Sequence, residues 1–179
     1  MLLTGLLPDI STDPAIETAT DSIEAGRSGV IVAPVGVRPP LLAAVSSRAA
    51  TPLVVLTATG RDAETLTNAL ASWIPGVAML PAWETLPHER LSPQVDTMAR
   101  RIAVLRRLVH PVEGDDSAGP ISVLVVPVRA FLQPIISGLA DLEPVRVRAG
   151  DIMDLTDVTN RLAELGYERV DMVEGRGQM

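Results

Sequence analysis

Short continuous apolar runs alternate with helix-period segments along most of the chain. Val30-Ile31-Val32-Ala33, Leu53-Val54-Val55-Leu56, Val77-Ala78-Met79-Leu80 and Val123-Leu124-Val125-Val126 are strand-length, and each precedes a loop and then apolar residues at helical spacing. The first three runs start at residues 30, 53 and 77, which leaves room for a strand, a short helix and two tight loops. This rhythm predicts a βαβα arrangement with helices near residues 39–49, 61–73, 94–109 and 128–139. Upstream, Ile16, Ala19 and Ile23 predict a helix within residues 9–26, capped by Thr12 or Asp13, with Pro14 in its first turn. Helix 94–109 has the clearest pattern. Val95, Met98, Ile102, Leu105 and Leu108 or Val109 form its stripe, while Arg100, Arg101, Arg106 and Arg107 lie mostly off it and read as a solvated face.

After Ala140 the pattern changes. Pro144-Val145-Arg146-Val147-Arg148 alternates as a half-exposed strand does, and Leu155, Val158, Leu162 and Leu165 then make a helical stripe that Gly166 ends. Tyr167 to Val173 alternates again, and the sequence ends six residues later. A lone helix and strand cannot bury both faces, so the second unit is expected to be incomplete. The acidic, turn-rich stretch Pro111 to Pro120 between these regions is assigned no function.

Composition narrows the chemistry. Aromatics are 2% of residues and hydrophobics 47%, so the core must be built from Leu, Val, Ile and Ala, as where strands of a parallel sheet are buried on both faces. The absence of cysteine excludes disulfides and thiolate chemistry, and two isolated histidines, His88 and His110, leave little for a zinc site. A net charge of -7 argues against broad capture of a nucleic-acid backbone. All 15 basic residues are arginine, which rules out a phosphate-gripping P-loop lysine, a Schiff base and a lysine general base. The N-terminus lacks the cationic start of a signal peptide, and no apolar run approaches the roughly 18 residues of a membrane span, so a cytoplasmic location is expected.

Four groups of residues invite a functional reading. The first strand exits into Ala33-Pro34-Val35-Gly36-Val37-Arg38-Pro39-Pro40, where a nucleotide-binding fold places its glycine-rich loop and lysine. Pro39 and Pro40 have no N–H to offer a phosphate at a helix N-terminus, so the residues favour a decayed pocket at Pro34, Gly36 and Arg38 over a working one. Glu84, His88 and Glu89 could form an acid/base set with Ser92 as nucleophile. No glycine-flanked elbow surrounds Ser92, so the favoured reading is structural: Trp83 and Leu86 pack the loop, Ser92 caps or precedes the helix, and Asp96 sits in its first turn. Arg146, Arg148, Arg169 and Arg176 could form a docking surface on an exposed sheet edge, or a solvated strand face. The residues alone leave both open.

The block Leu80-Pro81-Ala82-Trp83-Glu84-Thr85-Leu86-Pro87-His88-Glu89-Arg90-Leu91-Ser92-Pro93, followed by Asp96 and the Arg101-Ile102-Ala103-Val104-Leu105 helix, closely resembles the N-terminal region of the bacterial transcription-repair coupling factor family. The resemblance continues through Val123 to Pro134 and Gly166 to Val173, covering nearly everything from about residue 29 onward. It implies an α/β fold: a three-layer parallel sheet of degenerate P-loop, RecA-like type similar to UvrB (residues 29–142), an N-terminal extension with a helix (1–28), and the start of an α+β second domain (143–179) that binds UvrA in the family. The Tyr-Glu-Arg-x-Asp pattern places Arg169 at the UvrA contact, and Arg176 matches the following basic turn. No DNA-entering hairpin fits between the Trp83 block and its helix. The resemblance therefore implies a non-catalytic module recruiting UvrA to stalled RNA polymerase in transcription-coupled excision repair. RNA polymerase, DNA, ATP and magnesium would engage only domains of the parent that this chain lacks, leaving it without a cofactor of its own. The alternative from the residues is a small α/β nucleotide- or phosphate-binding protein using Arg38 and the His88 loop.

Overall fold

The computed structural model describes residues 2–85, 94–174 and 177–179. Helices α1 (Leu7–Ser11), α2 (Pro14–Glu24) and α3 (Arg38–Arg48) lead into β1 (Leu53–Thr57), α4 (Gly60–Leu70) and β2 (Val77–Met79). Helix α5 (Val95–Val109), β3 (Val123–Pro127), the single turn α6 (Val128–Phe131) and α7 (Leu155–Glu164) follow. None of the described helices is long and apolar enough to cross a membrane.

The three strands form one parallel sheet in the order β1-β3-β2. Leu53 to Thr57 run alongside Val123 to Pro127, and Val77 to Met79 alongside Val123 to Val125. The central strand is apolar at every position because both of its faces are covered, and all five of its residues are buried. Val123 and Val125 meet Ala43 of α3, Ala63 and Leu70 of α4, Leu7 and Ile74 on one side. Leu124 and Val126 meet Ala78, Leu80, Ile121, Val104 of α5 and Ala130 of α6 on the other. Helices thus lie on both faces of the sheet, giving the three layers expected of an α/β fold.

Local chemistry sets the helix ends. Asp13 caps α2, accepting from the amides of Ala15 and Ile16, with Pro14 at the first position. Thr59 caps α4 and Asp154 caps α7 in the same way. Gly166, at φ 85°, closes the α7 turn as its sequence position implies. Arg48 ties α2 to α3 through Glu24 at 2.7 Å and Asp21 at 2.8 Å.

Several expected elements are absent or shorter. Val30 to Ala33 is not a strand: Val30 and Val32 are 93% and 95% exposed, and β1 is an edge strand that makes its ladder with β3 alone. An apolar run with no neighbouring backbone to pair with gains nothing from extended geometry. The helix expected over 128–139 stops at Phe131, three residues ahead of Pro134, which has no N–H and disfavours helical geometry at the residue before it. Residues 144–148 form no strand, and the alternation at 167–173 yields a single bridge, Glu168 to Gln178.

Two substitutions probe this core. Gly76 has φ 72°, and a Cβ there would lie 2.9 Å from the Pro120 carbonyl and 2.7 Å from Ser122 Oγ, so Gly76→Ala combines strain with a backbone clash. It should cost about 1–3 kcal/mol in chemical denaturation. Leu70→Ala, at a fully buried position on α4, should cost about 2–5 kcal/mol.

Candidate functional site

The loop after residue 33 frames a cavity of about 660 Å³, lined by Gly36, Arg38, Thr57 and Asp62 among others. Pro34, exposed, precedes the short turn Val35–Val37, and α3 begins at Arg38 with prolines filling its first turn. The mouth of α3 therefore lacks the run of amide donors that holds a phosphate. Nothing approaches within 4 Å of where a Gly36 Cβ would be, so the glycine is not required by a close backbone contact. Asp62 adds negative charge to the same cavity, opposing an anionic ligand.

The loop before α5 is held by arginine and amide chemistry. The Arg101 guanidinium lies 4.5 Å from the centroid of the Trp83 ring and donates to the Pro81 carbonyl at 2.6 Å. Arg101 is 1% exposed, its Nε has no partner, and burial lowers its pKa from the ordinary arginine value. Gln133 completes the clamp by accepting from the Trp83 amide at 2.8 Å and donating to the Trp83 carbonyl at 3.4 Å. Thr97 donates to the Glu84 carboxylate, and that hydrogen bond is the main reason Glu84 is held below the usual carboxylate range. Arg129 donates to the Glu84 carbonyl at 3.1 Å. Trp83 packs the loop as expected, and Glu84 is engaged in the hydrogen bond with Thr97; Leu86, His88, Glu89 and Ser92 lie outside the described residues, as does Arg176.

The arginines of α5 are not a solvated face. Arg101 is in the core, Arg106 donates to the Leu142 carbonyl at 3.1 Å, and Arg107 donates to the Gly119 carbonyl at 2.8 Å, fastening the acidic loop. Arg100 alone of the four fits the expectation, pairing with Asp96 at 2.7 Å on the surface. The buried face of α5 is Thr97, Arg101, Val104 and Leu105, whereas Val95, Met98, Leu108 and Val109 of the expected stripe are 38–56% exposed. The signal for Arg101 was available: it follows Thr97 by four residues and precedes Leu105 by four, which puts all three on one helical row.

In the C-terminal segment, Arg146, Arg148 and Arg169 are exposed, and among the described residues the Arg169 side chain makes no hydrogen bond or ion pair. Its backbone is held in place: the Glu168 amide donates to the Gly177 carbonyl at 2.8 Å and the Val170 amide to the Met179 carbonyl at 3.0 Å. Among the described residues no group of three or more His, Asp or Glu could hold a metal ion.

No family model matches the chain. It is 46% identical over 151 residues to proteins named transcription-repair-coupling factor in Mycobacterium bovis and Mycobacterium tuberculosis, a match covering 83% of the chain. A protein of the same name in Escherichia coli is 26% identical over 140 residues, 77% of the chain. The chain is a homologue of part of the transcription-repair-coupling factor. It spans 12% of the length of these relatives, so the comparison speaks to one portion of a much larger protein.

The Arg101 clamp makes two expectations. Arg101→Lys keeps the charge but loses the planar guanidinium over Trp83 and should lower stability by about 1–2 kcal/mol in urea denaturation. The Glu84 carboxyl is lowered in the folded state, so its contribution is full above the ordinary carboxylate pKa and fades as pH falls through the folded value. The difference in thermal midpoint between wild type and Thr97→Val should therefore be present at pH 7 and shrink below about pH 4.

Proposed function

We propose that this chain is a non-catalytic module of a transcription-repair coupling factor, one that recruits UvrA to stalled RNA polymerase in transcription-coupled nucleotide excision repair. The match to proteins bearing that name over most of the chain carries the reading. In it, residues 29–142 are a degenerate P-loop domain and 143–179 the beginning of the UvrA-binding domain. The proline-filled start of α3 and the lack of lysine support the first assignment. Arg169 supports the second: a planar guanidinium with no hydrogen bond or ion pair among the described residues, on a backbone pinned at both neighbours, suits a fork-like bond to a partner carboxylate. Arg176 is the second contact by resemblance. Engagement of RNA polymerase and DNA, and any use of ATP, belongs to the rest of the parent protein.

A titration of UvrA with the chain tests this directly. Arg169→Ala should weaken binding by about tenfold or more, the size expected for an arginine at the centre of an interface. Binding unchanged by the substitution, with the circular dichroism spectrum intact, would remove the role from Arg169. The competing phosphate-binding reading draws on the cavity beside Arg38. Calorimetry with ATP and magnesium separates the two: no binding heat is expected, whereas saturable binding lost in Arg38→Ala would favour the nucleotide reading.

A further inference from the structure

A second cavity, of about 300 Å³, lies between α5, the acidic loop and the segment that follows residue 141. Its walls are apolar, with Ile102 and Ala103 of α5 facing Leu142 and Leu165. Most of the polar groups around it are already engaged. Arg106 is tied to the Leu142 carbonyl and Glu143, Arg107 to the Gly119 carbonyl, and His110 to Asp141 at 2.7 Å. Two polar heads remain. The Arg146 guanidinium and the Tyr167 hydroxyl both line the cavity and, among the described residues, neither has a hydrogen-bond or ion-pair partner. The carboxylate of Asp115 is held by the Ser117 hydroxyl at 2.7 Å and by the Ser117 and Ala118 amides at 2.8 and 2.9 Å, and Arg146 acts on it only weakly.

We infer that this cavity is a binding site for a small carboxylate with an apolar body. Three guanidiniums line it against the single carboxylate of Glu143, an excess of positive charge in a chain whose net charge is -7. The engaged arginines fix the walls in advance, so a ligand has little side-chain ordering to oppose it. Arg146 can give a carboxylate two parallel N–H bonds, and the Tyr167 hydroxyl can donate a third. The aliphatic body then covers Ile102, Ala103, Leu142 and Leu165. The volume sits at the lower end of the range for small-molecule sites, which fits a ligand of short acyl-chain size.

Octanoate is the probe, titrated into the whole chain and followed by calorimetry and amide chemical shifts. Saturable binding is expected, with shifts centred on Ile102, Leu142 and Leu165. Arg146→Ala should weaken it about tenfold, the usual worth of a charge-assisted hydrogen bond, and octanol should bind no better than octanoate binds that variant. Ala103→Leu, at an exposed wall position, should abolish binding by filling the space. The absence of saturable binding would overturn the proposal. Equal affinity in wild type and Arg146→Ala, or shifts centred on Val54 and Leu56 of the exposed β1 face, would do so as well.

Discussion

Everything in this fold is arranged around the burial of β3 on both faces. A strand with Val123, Leu124, Val125 and Val126 all out of water must have an apolar layer above and below it. The α3–α4 layer serves one face and the α5–α6 layer the other. The flanking strands do not enjoy the same cover. Val54 and Leu56 of β1 point to the α5 side, yet α5 lies over β2 and β3, and the two residues stay about half exposed. Cover is therefore uneven: both faces of β3 are closed, while the α5 side of β1 is left thin.

A guanidinium is buried on the α5 side of this sheet, that of Arg101. A buried charge is costly unless hydrogen bonds and favourable fields replace its water. Here the Pro81 carbonyl and the face of Trp83 supply that replacement, and Gln133 fixes the Trp83 backbone from both of its polar groups. The arrangement joins three separate parts of the chain, the loop after β2, helix α5 and the turn after β3. Arg106 and Arg107 extend the same logic along α5, each donating to a carbonyl of an irregular segment. Irregular backbone has acceptors with no ladder to satisfy them, and arginine reaches them with several donors at once.

The parts of this plan legible in the sequence were those set by local rules. The apolar runs at 53–56, 77–80 and 123–126 became strands because neighbours in the same sheet were there to pair with them, and Asp13 and Gly166 ended helices as their chemistry dictates. The run at 30–33 carries the same local signal and fails, since a strand exists only with a partner and periodicity says nothing about partners. Phase was harder than period on α5. The helix was clear, but its buried row runs through an arginine, and a reading that sorts residues by polarity turns that row toward solvent. The packing role of Trp83 is legible from its place in the loop, while the buried guanidinium that holds it is not.

The loop from 33 to 40 shows how two independent deficits reinforce each other. A phosphate site at a helix start needs amides aimed at the oxygens and a mobile cation to follow the charge. Prolines at the head of α3 remove the first, and a chain without lysine cannot supply the second in its usual form. Either loss alone could be offset, by a longer glycine loop or by a neighbouring arginine. Arg38 stands at the loop, but Asp62 lines the same cavity, and its negative charge opposes an anionic ligand there. Prolines stiffen the start of α3 while its buried row, Leu41, Ala43, Ala44 and Val45, packs into the fold. The loop's chemistry thus favours a fixed helix start over a binding cradle.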